Sequence, residues 1–229
     1  MKKYLFILIL NQTLFGIGLE ALNIPSSATS AGVAGSGIGY TFDVWINPAS
    51  VHLIEGNLIR FTSYNWLGNI PGNEISLFWK KDRPHYLSLQ SSTIDDIELY
   101  GDIPEDEPLG TFSSSWISGS YATGVRIYNF KTAILFKTNL SKLYKEIMYG
   151  FTTDFGMFYQ YTNSINFGIN FKNIGYEKSE NLRTPLPMQF GIGLSYLEPM
   201  FNSTFLIDFI QDNNNGPIIR FGLSKTSHF

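Results

Sequence analysis

The sequence predicts an all-β fold and, within that class, a transmembrane antiparallel β-barrel. Three observations support this prediction. Apolar residues alternate with small or polar residues in one run after another, and the polar positions carry few charges. The N-terminal residues have the pattern of a secretory signal peptide. Alternation with a period of two is typical of strands whose two faces meet different surroundings.

The alternation is clearest in residues 149–172, YGFTTDFGMFYQYTNSINFGINFK. Nearly every second residue from Tyr149 is aromatic or apolar, with Thr153 as the exception, and most residues between them are small or polar. The run 165–172 repeats the pattern, with Ile and Phe on one face and Asn, Gly and Lys on the other. Each run therefore predicts a strand with one apolar and one polar face.

Further runs bounded by Gly, Pro and Asn bring the predicted number of strands to about eleven. These runs are residues 58–66, 74–80, 86–91, 114–123, 125–130, 132–138, 188–196, 204–210 and 218–225. One segment differs. In residues 140–147, LSKLYKEI, the apolar side chains have the spacing of one helix face, so a short helix is predicted there. No linker divides the chain into two domains.

The apolar face is predicted to contact lipid rather than a protein core. A soluble sandwich usually carries many charges outside, whereas here the polar face is Gly, Asn, Ser, Thr and Gln with at most one charge per strand. Rings near strand ends, such as Tyr149 and Tyr161, suit the aromatic girdles of membrane barrels. Strands of about nine to thirteen residues suit a tilted span. The alternative, a secreted sandwich, predicts a protein that is soluble without detergent.

Residues 1–21 are predicted to be a secretory signal peptide. Two lysines precede an apolar run, small residues follow it, and cleavage is expected after Gly18 or Ala21. No window approaches the ~18 uninterrupted apolar residues that a transmembrane helix needs. We therefore expect export to the bacterial outer membrane.

The stretch ATSAGVAGSGIG, residues 28–39, consists almost wholly of small residues. It is too poor in bulky side chains to form a core, so it is either a flexible segment or a chain packed tightly inside something larger. Pro48 disfavours helix geometry at Asn47, so Asn47, Pro48 and Ala49 are predicted to form a turn.

Charged residues of both signs fall on the predicted polar faces: Asp154, Asp208, Arg126, Lys172 and Arg220. Inward charges can pair across a lumen, which satisfies buried charge. The alternative is a site where a ligand or a plug docks, and for this role Asp154, Asp208 and Arg220 are the candidates.

The acidic stretch IDDIELYGDIPEDE, residues 94–107, holds seven of the nineteen acidic residues of the chain. It is predicted to be a solvated loop outside the barrel. Pro104 and Pro108 indicate an irregular path, and the EF-hand spacing that would bind calcium is absent. Its acids are candidates for contact with a partner protein: Asp95, Asp96, Glu98, Asp102, Glu105, Asp106 and Glu107.

Composition and motifs exclude several classes of function. With a net charge of −3, the chain lacks the excess of basic residues that is typical of nucleic-acid-binding proteins. The absence of cysteine excludes disulfides, a thiol nucleophile and cysteine-based zinc sites. The histidines lack metal-binding spacing, no GxSxG elbow occurs, and GSGIG at 35–39 lacks the spacing of a phosphate loop. We expect a non-enzymatic protein with no catalytic residues, cofactor or metal.

An ordered series of motifs resembles a known family. ATSAGVAGSGIG leads to INPASV, followed by PLGTFSSSWISGSYATG, YGFTTDFGMFYQ, NFGINFKNIG, TPLPMQFGIGLSY and FLIDF. This series is similar to the PorV/PorQ family of outer-membrane barrels, whose architecture is like that of FadL-type fatty-acid transporters. The resemblance implies a barrel in residues 57–229, and together with the predicted strand count it leads us to expect about 10–14 strands. It also implies a lumenal plug in residues 22–56, which includes Asn47, Pro48 and Ala49.

The resemblance implies a function as well. Members with a known role serve type IX protein secretion, where they hold or deliver secreted proteins at the cell surface. Outer-membrane lipid and secreted or surface proteins are then the expected partners. The alternative is a FadL-like transporter with a hydrophobic small molecule as its ligand, for which Gly191 and Gly193 are candidates for a kink in the wall. The predicted strand count falls short of the family's roughly fourteen strands, which is a departure from its pattern.

Overall fold

The computed structural model of the protein describes residues 22, 27–40, 43–66, 70–100, 107–179, 183–184, 186–213 and 216–225. The predicted signal peptide lies outside these residues. Two short helices come first, α1 (Ala28–Gly32) and a 3₁₀ helix (Pro48–His52). The strands that follow are β1 (Leu58–Trp66), β2 (Ile70–Lys80), β3 (Pro84–Leu99), β4 (Gly110–Ile127), β5 (Phe130–Leu143), β6 (Glu146–Gln160), β7 (Ile165–Lys178), β8 (Arg183–Thr184), β9 (Gln189–Glu198), β10 (Ser203–Asp212) and β11 (Gly216–Lys225).

All the described strands belong to one antiparallel sheet, which confirms the prediction of an all-β fold. Ten strands pair in the order β1-β2-β3-β4-β5-β6-β7-β9-β10-β11, and the two-residue β8 pairs with β7. No pairing between described residues joins β1 to β11, so the sheet has two edges.

Local sequence explains where the two helices begin. Ser27 caps α1 in a capping box with Ser30. Asn47 caps the 3₁₀ helix and Pro48 occupies its first turn, where its missing N–H costs nothing. In the part of the chain that the structure describes, no helix is long and apolar enough to cross a membrane.

The predicted strands are present, and the differences lie at their ends. Residues 114–130, predicted as two strands, lie mostly in the single long strand β4, which turns at Tyr128 and Asn129. The acidic loop prediction is wrong in part, because residues 94–99 belong to β3. The register between β3 and β4 shifts there, and Asp96 takes a φ of 57°. This bulge accommodates the acidic residues within a strand.

The helix predicted for residues 140–147 is wrong. β5 continues to Leu143, the chain turns at Tyr144 and Lys145, and β6 starts at Glu146. β5 and β6 pair without interruption from Phe130 to this turn. The continuous ladder outweighs the helical spacing of the apolar residues, because strand formation depends on cross-strand neighbours more than on local preference.

The two faces of the sheet differ in composition. One face is buried and largely polar, with Ser88, Gln90, Ser120 and Asn139 among its residues. The other face is apolar and exposed. Its exposed side chains include Ile75, Leu77, Leu87, Leu89, Ile117, Phe136, Phe151, Phe155, Phe167, Phe171, Phe190, Ile192, Phe205, Ile207, Phe209, Ile219, Phe221 and Leu223.

Residues 27–40 and 43–53, here called the inner segment, pack against the polar face. The 3₁₀ helix in this segment contacts β3, β4, β5 and β6, and earlier residues of the segment bond to β10 and β11. In a flat sheet, β3 and β11 would be about 34 Å apart, since seven strand spacings separate them. The segment is held together by hydrogen bonds such as the one from the Asn47 side chain to the Ile38 carbonyl. Because this one segment contacts both β3 and β11, the sheet cannot be flat and curls around it.

The hairpin connections define two ends of the sheet. At one end, here called the short-turn end, the connections are residues 81–83, 128–129, 161–164 and 199–202. At the other, the long-loop end, they are residues 67–69, 100–109, 144–145, 179–188 and 213–215. The two longest connections therefore lie at the same end, which also holds the acidic residues of β3.

Candidate functional site at the inner segment

Asn47 is the residue that ties the inner segment together. Its side chain is fully buried, and its Oδ1 accepts a hydrogen bond from the Ala49 N–H at 3.0 Å. Its Nδ2 donates to the Ile38 carbonyl at 2.8 Å and lies 3.4 Å from the carbonyls of Met157 and Ile169. One amide therefore joins two parts of the segment to strands β6 and β7.

Asp208 and Arg220, which are cross-strand partners on β10 and β11, hold residues 35–38 of the segment. The Asp208 carboxylate accepts hydrogen bonds from the backbone N–H groups of Gly37 (2.7 Å) and Ile38. The Arg220 Nη1 donates to the Gly35 carbonyl at 3.1 Å. Adjacent charges of opposite sign thus bind adjacent N–H and C=O groups of one backbone stretch.

Glycines on four strands make room for the segment. A Cβ added at Gly156 on β6 would meet Asn47 and Pro48, and one at Gly168 on β7 would meet the Ile38 carbonyl. Glycines 193 and 222, on β9 and β11, are similarly close to inner-segment residues 39 and 36. Such contacts are the close backbone approach for which strand glycines are suited.

Asp154 lies in a separate buried cluster. The Lys137 Nζ is 2.7 Å from its carboxylate and 2.6 Å from the Asn173 Oδ1. The register of β6 and β7 shifts beside Asp154, and Asn173 has a φ of 59°. This bulge places the Asn173 N–H 2.7 Å from the other Asp154 oxygen. Asp154 therefore pairs within the sheet wall, while Asp208 and Arg220 contact the segment.

The sequence reasoning missed a polar chain that links the segment to β2 and β3. The Trp45 indole donates to the Tyr86 hydroxyl at 3.1 Å, and this hydroxyl donates to Glu74 at 2.9 Å. The Trp45 ring also lies 5.1 Å from the Lys137 Nζ. The period-two pattern places Glu74, Tyr86 and Lys137 on the inner face, but the contact of Tyr86 with Glu74 and the contacts of Trp45 with Tyr86 and Lys137 do not follow from it.

Part of the inner face offers polar atoms that bind no other protein group. Gln90, Ser118 and Asn139 are direct cross-strand neighbours on β3, β4 and β5. All three are buried, and each has a side-chain polar atom without a protein partner. Buried polar atoms of this kind usually bind water. This part of the inner face therefore suits a hydrated interior.

A cavity of about 580 Å³ separates the segment from the wall near the short-turn end. Its lining combines apolar and polar side chains: Val33, Phe158, Leu206, His52, Lys131 and Asn166. The His52 Nε2 is 3.0 Å from the Thr132 carbonyl. Burial lowers the pKa of His52, the Thr132 bond opposes this, and the nearby cations Lys131, Arg126 and Lys80 lower the pKa further.

The acidic candidates do not join this site. Asp95, Asp96, Glu98 and Glu107 are exposed at the long-loop end, away from the inner segment. Asp102, Glu105 and Asp106 lie outside the described residues. No cluster of potential metal ligands occurs among the residues that the structure describes.

Comparison with known proteins assigns no family. No family model matches the chain. The search of curated proteins likewise found no match.

Proposed function

We propose that the protein is an outer-membrane β-barrel whose apolar face contacts lipid and whose inner segment is a lumenal plug. The observation that carries this proposal is the continuous exposed apolar face of the sheet. Soluble monomers rarely expose contiguous apolar patches of more than a few hundred Å². Here large apolar side chains point outward on strands β2–β11, with the two-residue β8 excepted.

The height of the apolar band supports a membrane location. On β6, the outward-facing residues run from Tyr149 through Phe151 and Phe155 to Tyr159. These ten steps cover roughly 33 Å along the strand, or about 25 Å at a tilt of about 40°. This height matches the apolar band of outer-membrane barrels, and the tyrosines at its two ends match their aromatic girdles.

The polar side supports the same proposal. A barrel in lipid has a polar interior, and here that interior holds a segment bound by Asn47, Asp208 and Arg220. Lipid does not satisfy the backbone groups of a strand edge. The proposal therefore requires that the edges of β1 and β11 be covered in the membrane, by each other or by further strands.

The lengths of the connections suggest an orientation. Outer-membrane barrels have short periplasmic turns and longer extracellular loops. The short-turn end would then face the periplasm, and the long-loop end, with Asp95, Asp96 and Glu98, would face the outside.

We propose further that the protein holds or delivers secreted proteins at the cell surface, as the resemblance to PorV/PorQ proteins implies. The plug occupies much of the interior, which leaves the long-loop end as the surface for a protein partner. Within that end, Asp95, Asp96 and Glu98 form an exposed negative patch at the end of β3 that a basic segment of a partner would complement.

The second candidate is a FadL-like transporter of hydrophobic small molecules, and the cavity lined by Phe158 and Leu206 favours it. Against it, Gly193 directly contacts the inner segment, so the glycine has a role other than a kink in the wall.

Affinity purification from detergent-solubilised outer membranes tests both functions. Mass spectrometry would identify the proteins and lipids that co-purify. A stoichiometric secreted or surface protein would support the secretion role. A bound fatty acid without a protein partner would support transport, and recovery in the soluble fraction before detergent is added would contradict the barrel itself.

A further inference from the structure

A groove lies in the outward apolar face of the sheet, near the short-turn end. Its volume is about 570 Å³, and the residues that line it include Thr123, Val125, Ile134, Phe155, Met157 and Phe171. Phe155 and Phe171 are cross-strand partners and are 47% and 46% exposed, respectively. The groove therefore opens on the side of the sheet that faces away from the inner segment.

One cation distinguishes this groove from a second groove in the same face. Arg83, which directly precedes β3, is the one charged residue among the described residues of the first groove, and the others lie on β4–β7. The second groove has a volume of about 500 Å³, and the described residues of its lining, which include Leu77, Leu87 and Phe136, carry no charge. The first groove therefore combines an apolar surface with a positive charge at its edge.

The residues of β2 and β3 change character toward the turn that joins them. Every second residue of the two strands and this turn gives the rows Ile75, Leu77, Trp79, Lys81 and Leu89, Leu87, His85, Arg83. The rings of Trp79 and His85 stack with centroids 5.2 Å apart, and the His85 Nδ1 is 2.9 Å from the Tyr121 hydroxyl oxygen. Apolar residues, then amphipathic rings, then cations follow one another in this order at the interface between acyl chains and headgroups. With the apolar band in the membrane, Arg83 is therefore at the height of the headgroups.

The turn that carries Arg83 is positively charged. Residues 80–83, KKDR, hold three cations and the single acid Asp82, which leaves a net charge of +2. All four residues are exposed. Neither Arg83 nor Asp82 forms a salt bridge with another residue that the structure describes. The Arg83 guanidinium is therefore available to an anionic group outside the chain.

We propose that Arg83 and this groove bind an anionic phospholipid in the leaflet at the short-turn end. The planar Arg83 guanidinium donates hydrogen bonds to the lipid phosphate, and Lys81 adds a second positive charge. An acyl chain of the same lipid lies in the groove, against Val125 and Phe155. An anionic head joined to an apolar chain complements both parts of the site. This inference rests on the proposed membrane location, because the apolar groove would otherwise face water.

The test is photo-crosslinking of the full chain in phosphatidylcholine vesicles that contain a trace of phosphatidylglycerol with a diazirine in one acyl chain. Mass spectrometry locates the labelled residues. Labels on Phe155 and Met157 report the first groove, and labels on Ile75 and Leu77 report the second, which is the internal control. A cation near the membrane surface contributes roughly a fivefold change in affinity for anionic lipid. We therefore expect Arg83→Gln to lower the labelling of the first groove about fivefold and to leave that of the second unchanged.

Two controls isolate the role of Arg83. Lys145→Gln removes the same charge from an exposed position at the long-loop end and should leave the labelling of both grooves unchanged. A phosphatidylcholine probe with the same diazirine has no net charge, so it should label the wild type and Arg83→Gln equally. Equal loss in Arg83→Gln and Lys145→Gln would reduce the effect to net charge and overturn the proposal. Unchanged labelling in Arg83→Gln, or the same loss with the neutral probe, would overturn it as well.

Flotation of the wild type with liposomes is measured first, because it tests the membrane location separately. A wild type that fails to float contradicts the membrane location. A floating wild type whose first groove is labelled no differently from that of Arg83→Gln contradicts this inference alone.

Discussion

Gly168 shows how single residues position the inner segment. A side chain at this position would collide with the Ile38 carbonyl, which belongs to the backbone and is itself bonded to Asn47. Because the nearest atoms that an added Cβ would meet, in Ile38 and Gly39, all belong to the backbone, the segment has little freedom to adapt. The glycine is therefore required by the contact with the segment.

We predict that Gly168→Ala lowers the free energy of unfolding by about 1–3 kcal/mol, as overpacking usually does. Urea unfolding of the refolded protein measures this change. The matched control is Gly110→Ala, where an added Cβ meets nothing within 4 Å. Equal stability of the two variants would mean that Ile38 does not lie against β7.

Lys137 and Asp154 form a fully buried ion pair. Lys137→Met removes one partner and leaves a buried carboxylate, so we expect a loss of about 3–5 kcal/mol in the free energy of unfolding. The double variant K137M/D154L removes both charges and should recover most of that loss. A double variant as unstable as the single one would contradict the pairing.

His52 gives the segment a pH dependence. Because its pKa is lowered in the folded protein, folding favours the neutral ring. This contribution to stability is complete above the unfolded pKa of about 6.5 and is lost as the pH falls through the lowered pKa. We expect the melting temperature of the wild type to fall more between pH 7.5 and pH 5 than that of His52→Gln. Parallel curves for the two proteins would contradict the prediction.

At the scale of elements, the strands were predictable and their ends were not. Alternation identified β6, β7, β9 and β10 because it reports which face each residue occupies. The helix predicted for residues 140–147 was wrong because the pairing partner of β5 is not visible in a local pattern. The bulge at Asn173 and the shift at Asp96 were also missed, since register depends on both strands of a pair.

For the candidate site, two charged residues were predictable from the sequence and their contacts were not. Asp208 and Arg220 were recognisable because they are isolated charges on faces of small and polar residues. Their bonds to residues 35–38 were not, because no sequence pattern gives the height of the segment inside the sheet. Trp45 was missed because an aromatic residue within a turn-rich stretch gives no sign that it will join Tyr86 and Lys137.

The contact between the inner segment and β11 is testable with an engineered disulfide. A Cβ added at Gly222 would lie directly against the Ser36 side chain. The natural sequence has no cysteine, so the pair S36C/G222C would be the only one present. We expect this variant to form a disulfide under mild oxidation, seen as a mobility shift on non-reducing gels.

The control S36C/G110C places the second cysteine at Gly110, where an added Cβ meets nothing within 4 Å. It should remain reduced under the same conditions. Equal oxidation of the two variants would show that residue 36 moves freely, which would contradict a fixed inner segment.

At the scale of the whole molecule, two features define the fold: an apolar outer face and a polar inner face that holds a segment. Exposed aromatic residues such as Phe151, Phe171 and Phe209 would be unfavourable in water. The inner face would be unfavourable in lipid, since its serines, amides and charges need hydrogen-bond partners. The proposed barrel would satisfy both faces together, because lipid would surround the sheet and the segment would lie within it.

Single nitroxide labels at successive positions of β6, from Tyr149 to Tyr159, test this account most directly, because no native cysteine interferes with labelling. In membranes, labels at Phe151 and Phe155 should be accessible to oxygen and protected from a water-soluble nickel complex. Labels at the inner-face positions Thr152 and Phe158 should show neither strong oxygen access nor a lipid-like environment, so oxygen accessibility should alternate between the two faces. Asp154 is left unlabelled, because its carboxylate forms the buried pair with Lys137. High accessibility to the nickel complex at Phe151 and Phe155 would place this face in water and contradict the barrel.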